Sequence, residues 1–259
     1  MLNIIIITSG KAYQQAAGRA AATYASLITV PHSIFVFIPE SESQLTTLKT
    51  YSRRFRFSVK SFPFVRVSER KFTSQLKCQG FLFALSAFRD DELVLFVDAD
   101  TYCLKSIHFS KEVQTAIADG KIGFVPDVKC RHCSRPEKPW YLRPDERVTY
   151  VNSGVILASP KSMDFFEKVA ALSSEDAFLR GPFNDQKVIN FALGRHFKDR
   201  LLLLDNVYNG MSKYRTAMTV IGHCAGGAGR FSGTVRSELH KSICGEILLG
   251  MRPWTIAKS

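Results

Sequence analysis

The feature that most constrains this 259-residue chain is an alternation of strand, turn, helix and strand at its start. Ile4 to Ile7 is an uninterrupted apolar run, Thr8-Ser9-Gly10 is a turn, an Ala-rich stretch from about Tyr13 to Leu27 reads as a helix, and Ser33 to Ile38 repeats the buried strand. Such alternation predicts an α/β class with a parallel sheet, whose ligands gather at the carboxyl ends of the strands. Thr8, Ser9 and Gly10 fall at one such end. With 46% hydrophobic residues, a chain of this length can bury a substantial core, and one domain over residues 1–259 is expected.

Between Arg54 and Lys60, polar and apolar residues alternate, which puts Arg54, Arg56, Ser58 and Lys60 on one face of a half-exposed peripheral strand and Phe55, Phe57 and Val59 on the other. A helix is expected from about Phe72 to Phe88. The apolar run Leu93 to Val97 then leads directly into Asp98-Ala99-Asp100. Residues 127–147 are rich in Pro, Arg and Lys without a period, the pattern of a long functional loop or lid.

The apolar N-terminus lacks the basic lead-in of a signal peptide, and no apolar run approaches the roughly 18 residues of a membrane span. Six unevenly spaced cysteines point to reduced thiols and a cytoplasmic location. The formal charge of +12 is concentrated: residues 49 to 77 hold nine Lys/Arg against the single acid Glu69. That is either a solvated basic face or a docking surface for an anionic partner, with peripheral contact to an anionic membrane one form of it.

Two carboxylates spaced i, i+2 just past a buried strand lie where the ladder ends, so their oxygens can converge on one hard cation. Asp98 and Asp100 are therefore expected to hold Mn²⁺ or Mg²⁺. Alone, Asp-X-Asp is also an ordinary polar turn; the five apolar residues before it and Thr101 after it favour the metal site.

Here the chain resembles glycosyltransferase family 8, particularly its glycogenin-like and bacterial lipopolysaccharide glycosyltransferase-like members. Ile6-Ile7-Thr8-Ser9-Gly10-Lys11-Ala12-Tyr13 is similar to the family's opening strand and nucleotide loop, and Val94-Leu95-Phe96-Val97-Asp98-Ala99-Asp100-Thr101 to its metal-binding strand. Val151-Asn152-Ser153-Gly154-Val155 resembles its donor-sugar segment, Asn184-Asp185-Gln186-Lys187-Val188-Ile189-Asn190 its Asp-Gln segment, and Ile221-Gly222-His223-Cys224-Ala225-Gly226 its closing His-X-X-Gly. Five short motifs in order, from residue 6 to 226, carry the likeness.

The resemblance implies a GT-A fold, a Rossmann-like and mostly parallel sheet flanked by helices. Residues of about 1–126 would bind nucleotide and metal, and residues of about 127–259 donor sugar and acceptor. The implied activity is retaining transfer of a hexose from a UDP-sugar to a glycan, lipid-linked or protein acceptor. His223 would be the third metal ligand, an imidazole beside two carboxylates suiting Mn²⁺. Thr8, Ser9, Tyr13, Asp98 and Ala99 would bind the nucleotide; Lys77, with Lys71 competing, would reach its phosphates or sugar.

Asn152, Ser153, Gly154 and Asp185 would hold the donor sugar, with Gln186 near the anomeric carbon. Gly226, Gly229 and Arg230, with Gly227, would approach the diphosphate. The chain departs from the family at Gly229-Arg230-Phe231, where a Lys-Pro-Trp is usual; Arg230 or the later Met251-Arg252-Pro253-Trp254 are the substitutes on offer. Taken singly, Ser9 also reads as a helix cap, Asn184 or Asp185 as the cap of a helix through Phe191, and Asn152 to Gly154 as a turn before Val155-Ile156-Leu157.

Glutamine is a poor nucleophile, so front-face attack is favoured, in which the leaving phosphate accepts the acceptor's proton. Asp127, Glu137, Asp145 and Glu146 stay open as inverting bases. Tyr208 and Tyr214 are candidate self-acceptors only by being present. Cys130-Arg131-His132-Cys133 lacks the second ligand pair of a zinc site. A nucleic-acid-binding module built on Arg53 to Lys77 is the rival class, opposed by the alternation that sends Phe55 and Phe57 to the core. A sugar nucleotidyltransferase ranks third, since Thr8-Ser9-Gly10-Lys11 is a poor phosphate loop.

Overall fold

The computed structural model describes residues 1–127, 142–181, 184–211 and 216–224. The chain opens with β1 (Leu2–Ile7), α1 (Lys11–Leu27), β2 (His32–Pro39), α2 (Thr46–Phe55), β3 (Ser58–Phe62) and α3 (Phe72–Leu85). It continues with β4 (Leu93–Val97), β5 (Thr101–Cys103), α4 (Lys111–Ala118), β6 (Ile122–Pro126) and β7 (Val151–Ala158). After these come α5 (Met163–Ser174), α6 (Asp176–Arg180), α7 (Asp185–His196), β8 (Leu201–Leu203), β9 (Gly210–Met211) and β10 (Ile221–His223).

Seven strands form one sheet in the order β3-β2-β1-β4-β7-β6-β8. β3, β2, β1 and β4 are mutually parallel, and β7 runs antiparallel to both neighbours, β4 and β6. The α/β architecture with a mostly parallel sheet is thus as expected, and the sheet draws strands from both halves of the chain. Residue alternation along β1 explains how the sheet is covered. Ile4 and Ile6 join one core with Ala16, Ala17, Ala20 and Ala21 of α1, whose small side chains let the helix lie close to the sheet. Ile5 and Ile7 join the other, with Phe81 of α3, Phe96 of β4 and Phe165 and Phe166 of α5.

A second sheet, β5-β10-β9, has no counterpart among the sequence expectations. Its register sets His223 opposite Thr101, and Cys224 N–H donates to the Asp100 carbonyl at 3.0 Å. The small sheet therefore fastens the end of the described chain to the residues just after β4.

The strand expected from Arg54 to Lys60 is corrected. Arg54 lies in the last turn of α2, which ends at Phe55, Arg56 is its left-handed cap at φ 56°, and the strand begins only at Ser58. Leu48, Tyr51 and Phe55 recur at helical spacing and pack on the core, and that burial outweighs the short local alternation. The strand's peripheral position is as expected, since β3 is a sheet edge. Asn152 to Gly154 are not a turn but lie within β7, buried throughout. Cys78, Cys103 and Cys224 are buried thiols; Cys130 and Cys133 lie outside the described residues. No helix among the described residues is long and apolar enough to cross a membrane.

Candidate functional site

β4 delivers its carboxylates by ending abruptly. Asp98 N–H donates to the Gly154 carbonyl at 2.9 Å, the last tie to β7, and the Asp98 carbonyl then accepts from Thr101 N–H at 3.0 Å and the Thr101 hydroxyl at 2.7 Å. This turn frees both side chains from the ladder. β10 brings His223 alongside, and one ligand atom from each of Asp98, Asp100 and His223 lies within 4.8 Å of the others. His223 Nε2 is 3.3 Å from Asp100 Oδ1 and 3.8 Å from Asp98 Oδ2. Two carboxylates and an imidazole make a donor set suited to Mn²⁺, and His223 and Asp100 are 5% and 8% exposed.

The electrostatics of the three are mutual. Burial pushes the Asp98 carboxyl above its usual range, despite Lys77 and His223 beside it. Burial acts on Asp100 likewise, but the hydrogen bond and charge of His223 outweigh it and hold Asp100 low. Burial would lower the His223 imidazole, and Asp100 and Asp98 reverse that, holding it above its ordinary value. Such a cluster gathers negative charge that a cation relieves.

Lys77 reaches this cluster from α3. Its Nζ lies 2.7 Å from Asp98 Oδ1 and 2.6 Å from Asp185 Oδ2. Burial opposes its charge, yet the two carboxylates hold its pKa above the ordinary lysine value. Asp185 opens α7, with Asn184 as the N-cap accepting from Lys187 N–H at 3.0 Å. Ser153 donates its hydroxyl to Asp185 at 2.7 Å, so β7, α7, α3 and the end of β4 meet at these groups. Lys71 instead donates to the Gly181 carbonyl.

A chain of side-chain amides supports the histidine. His223 Nδ1 is 2.9 Å from Asn209 Oδ1; Asn209 Nδ2 donates to Asn152 Oδ1 at 2.7 Å, Asn152 Nδ2 to Gln186 Oε1 at 3.2 Å, and Gln186 Nε2 to Asp127 Oδ2 at 2.8 Å. With Asn209 as acceptor, Nδ1 carries a proton and Nε2 is the nitrogen that faces the carboxylates, sharing a proton with Asp100 until a cation takes that proton's place. Every link then donates in one sense, ending on the Asp127 carboxylate, which polarises and fixes the set. Gly154 is needed for space: a Cβ there would lie 2.5 Å from His223 Cε1 and 2.9 Å from Asn152 Oδ1. Asn209 was not foreseen, because it stands alone in a short 3₁₀ turn, residues Asn206–Asn209, with no motif around it.

Thr8, Ser9 and Gly10 lie past β1 on the same rim. Thr8 is 2% exposed and its hydroxyl has no partner among the described residues, which leaves it available to a ligand. Gly10 turns the chain at φ 75°. Glu42 was also missed: it accepts from Gly10 N–H at 2.7 Å, from the Ser9 hydroxyl and from Gln14 Nε2 at 3.1 Å. A carboxylate thus already faces the start of α1, and a phosphate there would be repelled. This weighs against the nucleotidyltransferase reading. Tyr13 is 45% exposed on the first turns of α1, and Ala99 is buried between the two aspartates.

Of the inverting-base candidates, Asp127 belongs to the amide chain, Glu146 pairs with Arg143 and Arg195, and the Asp145 carbonyl accepts from Lys198. Tyr208 donates its hydroxyl to the His108 carbonyl. Gly226, Gly227, Gly229, Arg230, Glu137, Tyr214, His132 and Met251 to Trp254 lie outside the described residues.

No family model matches the chain, and no curated protein matches it. Solved structures do. The galactosyltransferase LgtC, in complex with donor and acceptor sugar analogues, aligns with TM-score 0.60 at 16% identity, over 92% of this chain and 96% of that one. Mouse xyloside xylosyltransferase 1, in its apo form, gives 0.56 at 14% identity, over 86% and 97%. The bifunctional glycosyltransferase WbbM gives 0.61 at 15% identity, covering 90% of this chain, which spans about half of WbbM's length. At these identities the likeness is one of fold, and the fold is GT-A.

Proposed function

We propose that this chain is a metal-dependent glycosyltransferase of the family 8 type, transferring a hexose from a UDP-sugar to a glycan, lipid-linked or protein acceptor with retention of configuration. The observation that carries the reading is the convergence of Asp98, Asp100 and His223 beside the Lys77–Asp185 pair, at strand ends of a GT-A fold. The three would hold Mn²⁺ or Mg²⁺, which when bound neutralises charge on the donor's diphosphate.

The remaining residues act on the donor directly. Thr8, Ser9, Tyr13 and the Ala99 backbone bind the nucleoside, the unpartnered Thr8 hydroxyl being the group with capacity to spare. Lys77 holds two half-buried carboxylates in place and turns one of its N–H groups to the diphosphate or sugar. Asp185, Asn152 and Ser153 bind sugar hydroxyls and fold the sugar back over its phosphates. Gln186 is held by Asn152 and Asp127 with its amide fixed near the anomeric carbon. In this reading no side chain acts as the nucleophile. The acceptor hydroxyl attacks the anomeric carbon from the face the phosphate leaves, and the departing phosphate oxygen takes the hydroxyl proton. Gly226, Gly229 and Arg230 are assigned to the diphosphate by sequence alone.

Calorimetric titration of UDP, GDP, CDP and UDP-sugars, with and without Mn²⁺, tests this. UDP binding that requires Mn²⁺ and disappears in an Asp98→Asn/Asp100→Asn variant is expected. Absence of nucleotide binding under every metal condition would overturn the reading.

A further inference from the structure

The basic segment that the donor site leaves unused lies on one edge of the molecule. Lys49, Arg53 and Arg54 are exposed on α2, Arg56 caps that helix, and Lys60 is exposed on the edge strand β3. None of the five forms an ion pair among the described residues. A lysine on an edge strand is a common guard against strand pairing. Five uncompensated cations along one helix and its following edge strand exceed what that guard requires.

Where β3 ends, the chain runs along α3 in an extended path that the helix itself secures. Gln79 donates to the Val65 carbonyl at 2.8 Å and accepts from Val65 N–H at 3.0 Å, while Gln75 accepts from Val67 N–H at 3.2 Å and Ser68 N–H at 3.1 Å. The backbone groups of Val65 are thereby satisfied toward the protein, and the two valine side chains are left 68% and 50% exposed. Arg66 lies between them, paired with Glu69 and with its guanidinium 4.8 Å from the centre of the Phe72 ring. The edge thus ends in a small aliphatic tip that follows the cations of α2 and β3 along the chain.

We propose that this edge, from Arg53 through Lys60 to Val65 and Val67, docks the protein on an anionic lipid bilayer. The cations match the surface potential of acidic headgroups, and the valines enter the headgroup–acyl boundary. A nucleic acid fits less well. Single-strand binding draws on exposed aromatic faces, whereas Phe57 and Phe62 are buried and Phe64 packs edge-on against Phe72. Lys77 lies on the helix that secures the tip, so docking sets the rim of the donor site beside the bilayer, where a lipid-linked acceptor would stand. The docking does not depend on the transfer reaction.

The test is co-sedimentation of the full chain with phosphatidylcholine vesicles, with and without about 30% phosphatidylglycerol, at low salt and at about 0.5 M salt. Two variants are compared with wild type, Arg53→Glu/Arg56→Glu/Lys60→Glu and Val65→Ser/Val67→Ser, after circular dichroism and melting have shown both to be folded. Binding is expected only with phosphatidylglycerol, weakened by salt, reduced at least tenfold by charge reversal and several-fold by the valine pair. Equal binding to neutral vesicles, or binding unchanged in both variants, overturns the proposal. So does tighter binding to a single-stranded oligonucleotide that the charge reversal abolishes while vesicles fail to bind. Loss of docking with Mn²⁺-dependent UDP binding retained separates this inference from the transferase reading.

Discussion

Gly154 and Lys77 show how tightly the site is built around its charges. Gly154 has no side chain because His223 occupies the space a Cβ would take. In Gly154→Ala the imidazole must move, and Mn²⁺ affinity measured by calorimetry is expected to fall at least tenfold while the far-ultraviolet spectrum is kept. Unchanged affinity would mean that His223 is not a ligand. Lys77 is the counter-charge for Asp98 and Asp185, which lie mostly out of water. Removing one partner of such a set leaves uncompensated carboxylates, so Lys77→Met is expected to lose about 3 kcal/mol of stability in metal-free urea titrations. A loss within error of zero would show that the carboxylates are solvated or protonated instead.

Among the elements, β7 and α7, which carry the proposed donor-side residues, are tied together by one buried amide. Asn190 accepts from Val151 N–H at 2.8 Å and donates to the Val151 and Gln186 carbonyls at 2.9 and 2.7 Å. Asn190→Leu would leave both backbone groups of Val151 unpaired, and a loss of about 2–3 kcal/mol in chemical denaturation is expected. An unaffected midpoint would show that water replaces the amide. Asp98, Asp100, Asp185 and Gln186 were legible because each sits in a short motif at the end of a strongly patterned element. Asn209 and Glu42 were not, since each reaches the site from a distant loop and carries no local signal. The helix α2 was misread because Phe55, Phe57 and Val59 alternate over a junction, and only the packing of Leu48 and Tyr51 reveals the helical period. Likewise the extent of β7 was hidden, because Asn152 and Ser153 look like turn residues until their partners across the fold are known.

At the scale of the whole molecule, the two halves of the chain are joined by β7, which inserts antiparallel between β4 and β6 and so brings Gly154 against Asp98. The small sheet closes the arrangement from the other side by pairing β10 with β5. The Asp98, Asp100 and His223 cluster therefore exists only when segments near residues 98, 154 and 223 are all folded together. The α/β alternation at the start of the chain foretold the sheet; it could not foretell this closure, which depends on a three-residue strand with little pattern of its own. The most direct measurement is electron paramagnetic resonance of Mn²⁺ added to the protein, with and without UDP, in wild type and His223→Ala. Nitrogen hyperfine coupling that is present in wild type and absent in His223→Ala, with a spectrum that changes on adding UDP, is the predicted result. Bound Mn²⁺ without nitrogen coupling, or a spectrum indifferent to UDP, would contradict a cation held by Asp98, Asp100 and His223 to receive a nucleotide diphosphate.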